Sequence, residues 1–131
     1  MRHLFLICAL FTMTSPAMAQ MTVLRDDPEA QRLMDDYSAL TVAYFVNEAC
    51  DVLSSGETST LRRVVEDATQ AMNSLLDERV GARHSQALMI GLQRDSYSQA
   101  QSRFGRCDSL ARDFVTANLS GAQSFLASLP R

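Results

Sequence analysis

From residue 27 onward, the apolar positions of this chain fall into four runs with helical spacing. Leu33, Tyr37, Leu40 and Tyr44 recur at steps of three and four, joined near the end by Val46, Ala49, Cys50 and Leu53. That period lines one drifting face of an amphipathic helix. Asp27-Pro28-Glu29 predicts its start, with aspartate as N-cap, proline at the first helical position and an acid in the first turn, and Gly56 is its expected C-cap. The second run is the cleanest: Leu61, Val64, Val65, Ala68, Met72, Leu75, Leu76 and Val80. Thr58 or Ser59 is expected to cap this helix and Gly81 to end it. Its other face carries Arg62, Arg63, Glu66, Asp67, Asp77 and Glu78, a solvated surface with arginines four residues from acids.

The third run, Ala87, Leu88, Leu92, Ala100 and Phe104, is interrupted by the polar stretch QRDSYSQAQSRF. It predicts a helix capped by Ser85 and closed by Gly105, with a buried stripe so narrow that the middle should bend or fray. Asp108 caps the fourth run, formed by Leu110, Ala111, Phe114, Val115, Leu119, Ala122, Phe125, Leu126 and Leu129. Gly121 costs this helix about 1 kcal/mol relative to alanine and marks a place where it could break; Pro130 ends it. No segment sustains period-two alternation. The expected fold is therefore all-α: an up-and-down four-helix bundle or compact helical array, with short turns making chain neighbours antiparallel. In such a topology the end of the first helix and the start of the fourth lie together.

The opening residues, MRHLFLICALFTMTSPAMAQ, change the picture of where this domain works. A positive start, an apolar run and Ala17-Met18-Ala19 read as a secretory signal cleaved after Ala19. The apolar run falls short of the roughly 20 residues that a membrane-spanning helix needs. Residues 1–19 are thus assigned as signal peptide and 20–131 as one helical domain, with 20–26 expected to be disordered. Cys8, preceded by Ile7, leaves with the signal. Periplasmic or secreted localisation follows, with no membrane span after cleavage.

Of 131 residues none is lysine, and the formal net charge is -3. Arginine codons are GC-rich, so the bias points to a GC-rich bacterial genome. Dispersed basic residues on a mildly acidic chain argue against a nucleic-acid partner.

Export leaves two cysteines, Cys50 and Cys107. In an oxidising compartment an even pair reads as a disulfide, and one closing a loop this long should stabilise the fold by roughly 4 kcal/mol. Neither cysteine belongs to a C-x-x-C motif. A zinc site needs about four ligands, and His84 is the one histidine left after export. His84 is the weak acid-base candidate, since histidine alone titrates near neutrality unperturbed.

The acids Asp26, Asp27, Glu29, Asp35 and Asp36 lack calcium-loop spacing, and macrodipole complementarity explains those in the first turn. Met21, Met34, Met72 and Met89 are dispersed as core fillers, not arrayed as metal ligands. Haem-attachment, nucleophile-elbow, phosphate-loop and zinc-protease motifs are absent from the sequence, so no cofactor and no metal are expected.

Tyr37, Tyr44 and Phe45 form an aromatic group on the first helix, and the last two point in different directions. They are candidate contacts for a protein partner. The expected role is that of a non-enzymatic binding module acting on a protein or small ligand. The alternative is a small hydrolase or lyase using His84 with Asp77 or Glu78.

Overall fold

A computed structural model describes residues 24–129. The signal-like start with its cleavage site, Met21 and the Pro130 stop lie outside the described residues. Four helices account for nearly all of the described chain: α1 (Pro28–Cys50), α2 (Ser55–Val80), α3 (Ala82–Phe104) and α4 (Ser109–Ser128), with no strand among the described residues. The all-α expectation holds, and the architecture is a compact helical array pinned by a Cys50–Cys107 disulfide.

The helix ends separate what local chemistry dictates from what packing decides. Asp27 caps α1 by accepting the Ala30 N–H at 3.0 Å, with Pro28 in the first turn. Asp108 caps α4 through the Ala111 N–H. Gly81 stops α2 at a φ of 82°, a left-handed conformation that glycine adopts without steric cost. At Gly105, which ends α3, a β-carbon would sit 2.5 Å from the Gln101 carbonyl oxygen, so a side chain there would force the backbone to shift.

Three boundaries differ from expectation. α1 stops at Cys50, six residues before Gly56, with Asp51 in the left-handed conformation at φ 50°. The cause is Asn47, a buried side chain whose Oδ1 accepts the Leu53 N–H at 2.8 Å while its Nδ2 donates to Thr58 Oγ1 at 3.0 Å. One amide thereby folds the connection back onto α2. Ser54, not Thr58 or Ser59, caps α2 in a capping box with Glu57. The Ser54 hydroxyl and backbone N–H both donate to the Glu57 carboxylate, holding its pKa below the ordinary 4.5. Ser85 does not cap α3; it lies inside the helix, 1 % exposed, with its hydroxyl donating to the Asn73 carbonyl of α2.

Helix α1 is the hub, packing on α2, α3 and α4, and α2 also packs on α3 and α4. Although consecutive, α3 and α4 do not pack along their lengths; they lie on either side of the central pair. Helix directions alternate. Asp27 at the start of α1 meets Arg79 at the end of α2, and Asn47 near the end of α1 meets Thr58 near the start of α2.

The predicted stripes largely become the core. Leu33, Tyr37, Leu61, Ala68, Met72, Leu76, Ala111 and Val115 are fully buried. Leu24 is also buried, within the segment expected to be disordered, and its carbonyl accepts from the Gln31 side chain.

Helix α3 runs unbroken, because serines fill core positions on its narrow stripe. Ser96 is fully buried and shares a hydrogen bond with Ser38 of α1. Ala87, assigned to the buried stripe, is exposed, and Leu88 and Leu92 are half-buried. α4 continues through Gly121 without a break. Leu110, expected on its buried face, is instead 60 % exposed.

Candidate functional site

The three aromatic candidates on α1 go to three different places. Tyr37 is completely buried, so it offers a partner no surface. Thr69 gives its only hydroxyl proton to the Val65 carbonyl, which leaves the Tyr37 hydroxyl to donate to Thr69 Oγ1 at 2.9 Å and to accept from the Gln93 side chain. A buried phenol thereby links α1, α2 and α3 with its polar atom satisfied.

Tyr44 faces α2. It lines a hollow of about 310 Å³ with Arg62, Val65, Glu66 and Thr69. Arg62 pairs across the helices with Glu48 at 3.2 Å rather than along its own helix with Glu66. The Glu48 carboxylate, and secondarily the Tyr44 phenol, hold the Arg62 guanidinium even more firmly protonated than usual.

Phe45 faces α3 and lines a groove of about 510 Å³ between α1 and α3 at the disulfide end. Its walls are Phe45, Val46, Ala49 and Cys50 on one side and Tyr97, Ala100, Gln101 and Phe104 on the other. The small side chains of Ala49 and Ala100 leave the space open. Tyr97, 50 % exposed, meets Phe45 edge to face, with ring centroids 5.3 Å apart and planes at 84°. Behind the groove, the buried Phe104 stacks on Phe114 at 4.5 Å, so the far wall is fixed by the start of α4. Among the described residues Glu48 is the only carboxylate lining the groove, and Arg62 pairs with it.

The bridge closes this end. Cys50 and Cys107 have Cα atoms 5.3 Å apart, within the ordinary disulfide range. Cys50 is half-buried against the groove, whereas Cys107 is exposed in the α3–α4 connection.

His84 stands apart, half-buried in the first turn of α3, its backbone N–H donating to the Gly81 carbonyl. No carboxylate reaches ion-pair distance of it among the described residues, so neither Asp77 nor Glu78 forms a dyad with it. The acidic residues near the start of α1 gather into no metal-ligand cluster among the described residues. Asp27 pairs with Arg79, and Asp36 with Arg32 one helical turn away.

Sequence reasoning missed Tyr97. The available signal was that Ile90 and Tyr97, seven positions apart on a helix whose core stripe was narrow, had nowhere to be buried; they are 59 % and 50 % exposed.

These features define a disulfide-pinned, all-α helical array with an aromatic-walled groove at its bridged end. In comparisons with family models, curated proteins and solved structures, nothing matches this chain. No helix among the described residues is long and apolar enough to cross a membrane.

Proposed function

We propose that the mature protein works outside the cytoplasm as a non-enzymatic binding module, gripping an apolar segment of a partner protein in the groove between α1 and α3. The observation that carries this reading is the half-exposed Tyr97, set edge-on against Phe45 in a groove whose lining includes the small side chains of Ala49 and Ala100. A rigid aromatic pair on two helices provides contact area at little conformational cost, which is what binding anchors require. Because the single carboxylate at the rim is already paired, the groove suits an uncharged, apolar occupant. Export is supported by the signal-like start together with the paired cysteines, a combination suited to an oxidising compartment.

The test is crosslinked capture from the native envelope, comparing the mature protein with a Phe45→Ser/Tyr97→Ser variant of unchanged helicity. A specific partner retained by the first and depleted at least about tenfold by the second is the expected result. Equal capture by both would overturn the groove as the binding surface. His84→Ala should leave capture unchanged.

A further inference from the structure

We propose that the Cys50–Cys107 bridge is a redox-set clamp on this groove: oxidised, it holds the walls at binding width, and reduction by a partner dithiol releases them. The inference rests on the groove being a binding site, and it adds the regulation of that site. Three observations converge on it. Cys50 is itself part of the groove wall, and Gly105, which also lines the groove, lies two residues from Cys107. The two cysteines differ in access, Cys107 being exposed and Cys50 half-buried, so an incoming thiolate meets Cys107 first.

The third observation is conformational. Among the described residues, the only non-glycine residues with positive φ are Asp51, at 50°, and Cys107, at 53°. Both sit at the bridge, one directly after Cys50 and the other within it. Cys107 follows the end of α3, its N–H donating to the Phe104 carbonyl, at a place where helices ordinarily put glycine because a β-carbon is unfavourable there. The crosslink holds that cysteine in a conformation its side chain disfavours. Once the sulfurs part, the 105–108 connection relaxes toward an ordinary backbone conformation, and the last turn of α3 is no longer tied to the last turn of α1.

The exchange balances as a two-electron step with a dithiol of the kind carried by thiol–disulfide oxidoreductases. One partner thiolate bonds to Cys107 Sγ, the Cys50–Cys107 bond breaks, and Cys50 leaves as a thiolate that takes up a proton. The partner's second thiol then displaces Cys107 as a thiol. The partner ends as a disulfide and this chain as two thiols.

The experiment measures binding of a neutral apolar dye, N-phenyl-1-naphthylamine, to the oxidised mature protein, the same protein in excess dithiothreitol, and Cys50→Ser/Cys107→Ser. At least about fivefold weaker dye binding by the last two, with helicity and a single cooperative melt retained, is the expected result. Affinities within twofold of each other, or unfolding of the whole domain on reduction, would overturn the clamp; unfolding would make the bridge a staple for the fold alone. Failure of the groove reading is separable. If the oxidised protein takes up no dye, or takes it up regardless of Phe45→Ser, the binding site is wrong. The clamp is then judged by amide resonances alone. Shifts on reduction at Val46, Ala100 and Gln101 support it, and shifts confined to the neighbours of the two cysteines refute it. A dithiol oxidoreductase lacking its resolving cysteine should be trapped on Cys107; trapping on Cys50 contradicts the order of attack.

Discussion

The two ends of the helical array are tied by different physics. At one end, the start of α1 meets the end of α2 through the Asp27–Arg79 ion pair, with Leu24 tucked beneath the first turn. The arginine side chain is 43 % exposed, so water and salt compete with this contact. At the other end the exposed Arg62–Glu48 pair is backed by a covalent bond, a buried amide and a capping box. Both left-handed non-glycine residues lie at this second end, as does the aromatic groove. A disfavoured backbone conformation persists only where its surroundings over-determine it. The bridged end can therefore carry a shaped, partly exposed apolar surface that the ion-paired end could not hold in place.

Breaking the ties one by one should rank them. Replacing both cysteines with serine is expected to lower stability by roughly 4 kcal/mol on the chain-entropy argument, measured by urea denaturation. Against a typical total of about 5 to 15 kcal/mol, the domain stays folded near room temperature with a much lower melting point.

Asn47→Ala comes next at about 2 kcal/mol, because it leaves the Leu53 N–H buried with no acceptor. Amide exchange at Leu53 should accelerate with it. In the serine background, glycine at position 107 should be no more stable than serine, because the released connection is no longer held at φ 53°. An advantage of about 1 kcal/mol for glycine would mean that the left-handed conformation persists without the bridge. At the opposite end, Arg79→Met should cost about 0.5 kcal/mol at low salt and nothing measurable at 1 M salt. A larger loss that persisted in salt would contradict the contrast between the two ends.

How far the site could be read from the chain depended on whether a signal was local. The bridge was readable because, with Cys8 assigned to the expected signal, two cysteines leave one intramolecular pairing. Phe45 and Tyr44 were readable as diverging neighbours, since adjacent residues on a helix point about 100° apart. Tyr37 was misjudged because its burial depends on Thr69 and Gln93, 32 and 56 positions away, which satisfy its hydroxyl inside the core. Tyr97 sat in a stretch read only as too polar to bury. That it faces Phe45 is a property of how α1 and α3 pack.

The S-x-x-E signature at Ser54–Glu57 was present in the sequence, yet hydrophobic periodicity running on to Leu53 masked it. That residue is buried as expected, though from the connection rather than from the helix.

By itself, the sequence determined the number of helices, half of their caps and three of their four buried faces, because capping and amphipathic period act over a few residues. The tertiary structure decided the rest. It made α1 the hub, let serines occupy the core face of α3, turned the chain at Asn47 and set Phe45 against Tyr97. Each of those outcomes depends on which helix faces which across tens of residues, and local spacing carries no information about that choice.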